Sequence, residues 1–389
     1  MNANANADSK PADKKLFTPV IAIIGAGPGG LTLARLLQHH GISCTVYEQD
    51  LSRSSRTQGG TLDLHASTGQ KALVEAGLYD QFAALMRPEG EAFRVVDAAS
   101  GKVRMEKKAP KPSKSRKPEI DRCQLREILL DSLQPDTVRW GRRLERVEAS
   151  GTSYNLQFAG GRLEEGFDLV VGADGAWSRV RSFLTSQSPT YSGVSGFVTS
   201  ISPSLLPSDI DDLVGQGAMV AHNGRENVWC QRLGDGSVSI QFYLSAPEDW
   251  VSESGIDWTD ATRARTEVVD RYLTEGWAEI FGQMVKASED ELRARTLYML
   301  PVGFKWERKA CVTLIGDAAH LMTPFAGVGV NVAMEDALEL ARAIIKYRAD
   351  RGEMVEGVWE YEKAMFERAE KNARLTYKNL VRSFGEPGS

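Results

Sequence analysis

The sequence predicts an α/β fold: a Rossmann-like parallel-sheet cradle, a second, mostly antiparallel β-sheet domain, and a long C-terminal helix. Three features carry this reading. Residues 20–48, VIAIIGAGPGGLTLARLLQHHGISCTVYE, run strand, glycine turn, helix, strand. Two later apolar runs, FDLVVG at 167–172 and VTLI at 312–315, have the unbroken hydrophobicity of parallel strands buried on both faces, and each is followed by an aspartate, Asp174 and Asp317. Between them, residues 189–244 fall into short alternating runs separated by glycine, the pattern of antiparallel strands.

The first stretch is a βαβ dinucleotide cradle. Residues 20–24 form the strand, and Gly25, Gly27 and Gly30 fill GxGxxG. The first glycine permits the tight turn, the second lets backbone approach a pyrophosphate, and the third lets helix and strand pack closely. The helix over 29–40 aims its N-terminal amides at the phosphates, and Gly41 ends it. Residues 43–47 return as a strand. Glu48 at its tip lies roughly twenty residues past the glycines, where a carboxylate accepts ribose hydroxyls. This stretch alone does not separate FAD from NAD.

A polar segment with Arg53 and Arg56 follows, then a strand over 61–65 and a helix over 67–76 ended by Gly77. Asp63 and His65 share one strand face; Asp63 reads as a turn-proximal polar residue and His65 as a partly buried side chain bonded to backbone. Residues 102–117 hold eight basic residues against one acid, with two prolines, and read as a solvated loop, a nucleic-acid patch being the alternative. Arg122 opens a helix on which Leu125, Ile128, Leu129 and Leu133 recur at helical spacing. There it can meet an anion or simply form a surface ion pair.

Strands over 138–147 and 154–158 lead to the second buried run. Asp174-Gly175 after it is a turn signal, but an acid and a flexible backbone unit beside Arg179 and Arg181 also make a ligand contact. Strands at 196–201, 218–222, 227–233 and 237–244, a helix over 259–286 and a strand over 296–301 form the second domain. The third signature puts Asp317 at a strand's carboxyl end, where open α/β sheets bind ligands. Gly327, Gly329 and Asn331 then open a helix whose positive end faces whatever lies beside Asp317. Residues 355–383 read as one long charged helix, a packed brace anchored by Trp359, Met365, Phe366 and Tyr377.

Composition narrows the partner. At 389 residues there is room for two cores, and 42% hydrophobic with 25% charged residues is ordinary for a globular chain. A net charge of −5 gives no general attraction to nucleic acid, so a small molecule is expected. The four cysteines lack CxxC spacing and read as buried reduced thiols; the five histidines are dispersed, and no metal is expected. Residues 1–15 are a polar tail expected to be disordered, with no signal peptide, and no run approaches the roughly 20 apolar residues of a membrane helix. A soluble, cytoplasmic monomer is the expectation.

The ordered set GAGPGG…E (Gly25 to Glu48), ADG (Asp174–Gly175) and GDAAH (Gly316 to His320) resembles the class A flavoprotein monooxygenases, the group that includes para-hydroxybenzoate hydroxylase. GGTLDLH, PEIDR and IGDAAHLMTPFAGVGVN further resemble the tetracycline-inactivating flavin monooxygenases. The resemblance implies a discontinuous FAD-binding domain (16–79, 108–183, 297–345), a substrate domain (80–107, 184–296) and a bridging helix (355–383). It implies FAD and NADPH as cofactors and O2 as co-substrate. Glu48 matches the adenosine-ribose acid, Asp317 the ribityl-contacting aspartate, and Arg122 and Asp63 positions that hold FAD. Arg56 matches an arginine assigned to NADPH, and Asp174 belongs to a motif linked to both. Only one GxGxxG is present, so NADPH would bind without a second cradle.

No protein residue need act as a catalyst in such a scheme, because NADPH reduces FAD, and the reduced flavin's 4a carbon takes up oxygen and passes one atom to an electron-rich aromatic or polyketide carbon. The helix opening at Gly327–Asn331 would stabilise charge on the reduced ring, and His65, Met322, Pro324 and Phe325 would line the pocket. A flavin-dependent halogenase would carry WxWxIP, and none of the eight tryptophans lies in one. A flavoprotein that sequesters a ligand without turnover is the other alternative. The tetracycline enzymes grip their substrate with a glutamine, an arginine and a histidine whose places fall near Val198, Ala218 and Ser239, with His222, Gln231 and Gln241 nearby. Tetracyclines are therefore expected to be poor substrates.

Overall fold

Five parallel strands form the first sheet, in the order Val312–Leu314, Leu169–Gly172, Ile21–Ile24, Thr45–Tyr47 and Val138–Arg139. The computed structural model describes residues 17–55, 59–289 and 291–387. Every residue of the three strands nearest the sheet's Val312 edge is buried, which is why those runs carry no polar alternation. Ile24 stands beside both Tyr47 and Gly172, and Gly172 beside Leu314. The carboxyl ends are therefore level. Gly25, Glu48, Ala173 and Ile315 leave the sheet side by side, so three motifs far apart in sequence share one ledge.

The second sheet has seven strands, ordered Arg293–Met299, Thr190–Ile201, Val238–Ser245, Glu226–Arg232, Ala218–Asn223, Phe93–Asp97 and Val103–Lys107. All neighbours are antiparallel except the parallel pair Ala218–Asn223 and Phe93–Asp97. Its alternation sorts the two faces. Phe197, Met219, Val228, Ile240 and Phe242 enter a core with Ile210, Val268, Phe281 and Met284 from three helices, Ser208–Val214, Ala261–Tyr272 and Glu279–Ala287. The opposite face carries Val198, Gln241, Trp229 and Val220 in one row across the strands.

The 34-residue helix Arg351–Phe384 joins the two parts. At 1.5 Å per residue it is about 50 Å long. Its first half puts Met354, Val358, Tyr361 and Met365 into the core of the parallel sheet, and its end puts Leu380 and Phe384 against Val194 and Tyr243 of the second sheet. Fully burying each such side chain stabilises by roughly 1.5–3 kcal/mol. The bridging helix expected from sequence is present and starts earlier, at Arg351, because the Asp350 carboxylate caps the Glu353 amide at 2.9 Å.

Other expectations need correction. Residues 102–117 are not a loop throughout: Val103–Lys107 is the exposed edge strand of the second sheet, its charges keeping that edge soluble. The single helix expected over 259–286 is two, separated at the left-handed Gly276. The strand expected over 138–147 breaks at Gly141, which is also left-handed. Cys123 is exposed on a helix rather than buried. Among the described residues all four cysteines are free, no cluster has metal-ligand geometry, and no helix is long and apolar enough to cross a membrane. The expected tail lies outside the described residues.

The long helix also buries a carboxyl group. Glu362 is fully buried and accepts from the Trp306 indole at 3.1 Å; burial pushes its pKa up to about 7, against smaller opposing effects of its bonds and of Arg308. The folded state thus holds a proton that the unfolded chain releases near the ordinary carboxylate value, so stability falls as pH rises through about 4.5 to 7. Glu362→Gln keeps the neutral form at every pH. Its stability relative to wild type should rise between pH 5 and pH 8 by on the order of 2 kcal/mol, read from denaturant midpoints at the two pH values. A constant difference would contradict a protonated Glu362.

Candidate active site

The cradle's glycines meet three different demands. Gly25 has φ 109°, and a Cβ there would collide with the Ala173 carbonyl; a Cβ at Gly30 would collide with the carbonyl of Gly25. At Gly27 a Cβ would meet nothing within 4 Å. Two glycines are therefore required by packing inside the protein, while the third borders open space at the start of the helix Pro28–His39, where a ligand can approach the backbone. Glu48 is 7% exposed, and its carboxylate accepts from the amides of Ala26 at 2.7 Å and Asp50 at 3.0 Å, so it sits directly across the glycine turn.

Asp174 is engaged by the protein itself. Its carboxylate accepts from the Ser178 hydroxyl at 2.5 Å and the Arg179 and Val180 amides at 2.7 and 3.3 Å, capping the helix Arg179–Leu184. Enclosure by protein raises its pKa, and these bonds pull the other way. Of the two flanking arginines, Arg179 is exposed while Arg181 is buried and donates to the carbonyls of Ala318 at 3.0 Å and Ala176 at 2.5 Å. Arg181 thereby ties the Asp174 turn to the Asp317 turn.

Asp317 is solvent-exposed but sits in a cleft enclosed by protein, which raises its pKa against the opposing charges of His320, Arg122 and Arg181. Its turn is held from behind. Asp336, fully buried on the helix Gly329–Lys346, accepts from the Gly316 amide at 3.1 Å, from His320 Nε2 at 2.5 Å and from Arg368 of the long helix at 3.1 Å. Burial disfavours the charged form of His320, yet contact with Asp336 and the charge of Asp317 outweigh it and raise its pKa. A carboxylate between an imidazole and a guanidinium thus fixes the backbone that carries Asp317.

The segment after Gly60 forms the adjoining wall. Thr61–Asp63 pairs antiparallel with Glu119–Asp121, and Arg122 follows directly, its amide bonded to the Gly60 carbonyl at 3.0 Å. Among the described residues the Arg122 side chain has no hydrogen-bond partner; enclosure lowers its pKa, with Asp317 as the opposing charge. His65 Nε2 lies 3.0 Å from the Asp63 carboxylate. Asn331 departs from the expected ligand role: its side chain is buried, donating to the Asp63 carbonyl at 2.7 Å and accepting from the His65 amide at 2.7 Å and the Thr68 hydroxyl at 3.1 Å. It braces the wall, and Gly327 and Gly329 remain as the open approach to the helix start.

The expected pocket residues divide. Pro324 is exposed, and Met322 accepts from Thr376 of the long helix at 3.6 Å. Phe325 is not a free wall: its ring packs edge-on against Tyr243 at 5.8 Å and against Phe384 at 4.9 Å, wedging the two sheets together. A second junction is polar. The Gln231 amide donates to Glu119, whose burial pushes its pKa up to about 7 against the pull of Arg87 and Gln231. Through these contacts the open face of the second sheet stands over the ledge. Val198, Ala218 and Ser239 all lie on that face, as do Gln231, Gln241 and His222. Arg56 lies outside the described residues. Two cavities of ≈ 440 and ≈ 470 Å³ lie elsewhere and include no motif residue. Sequence reasoning missed Asp336 and Arg368, whose only signals were an acid and a base on amphipathic helices, and Arg295, which lies on the open face of the edge strand Arg293–Met299.

Comparison with known proteins agrees with this geometry. The family model described as the FAD binding domain matches residues 17–374. Monooxygenase penA of Penicillium thymicola is 31% identical, the match covering 95% of this chain and 96% of penA. The structure of Klebsiella pneumoniae HpxO with FAD and uric acid superposes with a TM-score of 0.76 at 24% identity, over 94% of this chain and 89% of that one. The tetracycline destructase Tet(55) superposes with a TM-score of 0.73 at 20% identity, over 96% and 92%.

The Asp336 cluster yields a test. Asp336→Asn leaves Arg368 and His320 without their carboxylate and should cost about 3 kcal/mol or more of stability, with FAD lost more readily on dialysis. Arg374→Ala, which removes an exposed partner of Glu370 on the same long helix, should change stability by less than about 1 kcal/mol. Equal effects in a thermal melt and a flavin-retention assay would refute the special role of Asp336.

Proposed function

This chain belongs to the family defined by the FAD binding domain, the FAD-dependent monooxygenases, and from that premise we propose that it is an NADPH-consuming hydroxylase of an electron-rich aromatic or polyketide substrate. The observation that supports this best is the meeting of Gly25, Glu48, Asp174 and Asp317 on one ledge, with a half-apolar sheet face standing over it.

The residues present suit FAD. The space beside Gly27 takes the pyrophosphate, Glu48 the adenosine ribose, Asp317 the ribityl chain, and Arg122, whose side chain has no hydrogen-bond partner among the described residues, a phosphate or ribityl oxygen. The cofactor, when bound and reduced, supplies oxygen activation. The chain's own residues orient the reactants and keep water out. The Gly329 amide at the helix start offers positive potential at the ring's edge, the Gly327 amide being bonded to the Pro324 carbonyl at 3.0 Å, and Met322 with the Phe325–Tyr243 wedge closes one side. NADPH has no cradle of its own and visits transiently, with Arg56 as its contact. The parallel-sheet part with the segments 61–79 and 108–131 acts as the FAD domain, and the seven-stranded sheet, including the segment 80–107, with its helices as the substrate domain.

The substrate is not a tetracycline on this reading. Val198, Ala218 and Ser239 share the open face in the places where the tetracycline enzymes set a glutamine, an arginine and a histidine. Each missing partner for a polar substrate group costs roughly 1–3 kcal/mol. HpxO binds uric acid and the destructases are named for tetracycline, so this scaffold accommodates flat, oxygen-rich rings.

Purified protein should be yellow, release all its FAD on denaturation, and consume NADPH faster with a suitable member of a phenol and polyketide panel, giving a product heavier by one oxygen. Ligand binding with no such stimulation would point to sequestration instead. Asp317→Ala should weaken FAD by roughly 1.5–3 kcal/mol, measured by titrating apoprotein. Arg56→Ala should raise the KM for NADPH and leave FAD content unchanged; loss of FAD would reverse that assignment. Tetracycline incubated with enzyme, NADPH and oxygen should keep its absorbance and mass.

A further inference from the structure

The polar groups on the open face of the seven-stranded sheet are unequally engaged. The register places Arg295, Gly196, Tyr243 and Asn227 in one row, Arg293, Val198, Gln241 and Trp229 in the next, and Ser200, Ser239, Gln231 and Ala218 in the third. Gln231 is tied to Glu119. The Gln241 carbonyl oxygen accepts from the Tyr243 hydroxyl at 3.3 Å, which leaves its amide hydrogens to donate outward. Arg295 is exposed and, among the described residues, has neither a hydrogen bond nor an ion pair. Arg293, two residues along the same strand face, is exposed as well.

Arg295 lies within electrostatic reach of Arg122 and of Tyr243, so it faces the ledge across the cleft. Arg122 has Asp317 as its opposing charge; among the described residues Arg295 is in no ion pair. Two guanidinium groups facing one cleft repel each other, and a guanidinium without a partner is a strong, planar donor set for an anionic oxygen. Arg122 belongs to the cofactor wall and Arg295 to the opposite one. Among the described residues the unengaged charged or amide groups of that wall are Arg293, Arg295, the Gln241 amide hydrogens and Asn227, whose Oδ1 is buried without a partner; Val198 lies between Arg293 and Gln241, and Trp229 and Val220 continue the row beyond as apolar surface. The wall is therefore complementary to a flat ring edged with oxygen acceptors, at least one of them charged.

We propose that Arg295 is a substrate-recognition residue and that the substrate presents an anionic oxygen, a carboxylate or an ionised ring hydroxyl, to the edge strand Arg293–Met299. This rests on the monooxygenase reading above and adds the charge of the substrate to it. Binding of a charged group through such a pair should exceed that of its neutral isostere by about 10- to 100-fold.

The test uses FAD-loaded enzyme and reads probe affinity from the perturbation of flavin absorbance, with the KM for NADPH measured separately from its oxidation. The probes are matched pairs: 4-hydroxyquinoline-2-carboxylate against its carboxamide for the carboxylate, and pentafluorophenol, ionised at neutral pH, against pentafluoroanisole for the ring oxygen. The expected result is tighter binding of the anion in at least one pair, loss of that preference in Arg295→Gln, partial retention in Arg295→Lys, and unchanged FAD content and NADPH KM in both variants. Absence of any charge preference in the wild type, including absence of binding by all four probes, overturns the proposal. So does a rise in NADPH KM with the preference intact, which would give Arg295 to the nicotinamide phosphates, or loss of FAD from both folded variants, which would give it to the flavin. Failure here with a normal oxygenated product in the panel assay leaves the hydroxylase reading standing; the reverse outcome sinks the hydroxylase alone.

Discussion

A single buried carboxylate, Asp336, holds the working parts of this protein in register. With no solvent exposure it relies on the three donors that meet it: the Gly316 amide, the His320 ring and the Arg368 guanidinium. Each donor belongs to a different structural task. Gly316 shapes the turn at the end of the strand Val312–Leu314, His320 closes the short helix after it, and Arg368 belongs to the long helix. The hydrogen-bonding requirement of one residue therefore couples the shape of the Asp317 turn to the docking of a helix that also reaches the second sheet. Arg181 extends the coupling sideways by bonding the Asp317 turn to the Asp174 turn.

The two sheets meet through contacts of opposite character. Phe325 lies between Tyr243 and Phe384, an apolar wedge at the end of the long helix. Gln231 and Glu119 make a polar junction, where Arg87 also bonds to Asp121 at 2.7 Å and to the Arg232 carbonyl at 3.2 Å. Burial raises the Glu119 carboxyl toward neutrality, so this junction holds a titratable group near physiological pH. The cleft lies between these contacts, which set how far the open face stands from the ledge.

Much of this was legible in the sequence where local chemistry has few alternatives. Gly25 and Gly30 are required by backbone collisions, and unbroken apolar runs ending in Asp174 and Asp317 admit little besides buried parallel strands. The long helix was legible from periodicity, though its start was not, because Asp350 resembles any loop acid until its cap geometry is seen. Asp336 and Arg368 were not legible: they are 32 residues apart on separate helices, and nothing local marks either as buried. Asn331 misled for a related reason. An asparagine at a helix start looks like a group for a ligand, whereas here the segment over 61–68 lies across it and takes up its amide. The basic run over 102–117 hid an edge strand because charge that protects an exposed edge is indistinguishable in sequence from charge in a loop.

The part that decides substrate was the least legible, and the reason is geometric. Turn chemistry is read from residue identity, but the wall of the second sheet depends on pairing register, and a slip of one residue exchanges its two faces. Had Val238–Ser245 shifted by one against its neighbours, Ile240 and Phe242 would face the cleft while Gln241 and Tyr243 entered the helix-packed core. Burying Phe242 and Phe197, stacked at 5.3 Å, excludes that arrangement. The core behind the sheet thus selects which polar groups reach the ledge in front of it. Cofactor class follows from short motifs, as the match of the FAD binding domain model over residues 17–374 illustrates, whereas substrate class follows from packing on the far side of a sheet. Arg295 is the residue on which the two meet: its place in the edge strand is set by that packing, and its charge is read from the cofactor side of the cleft.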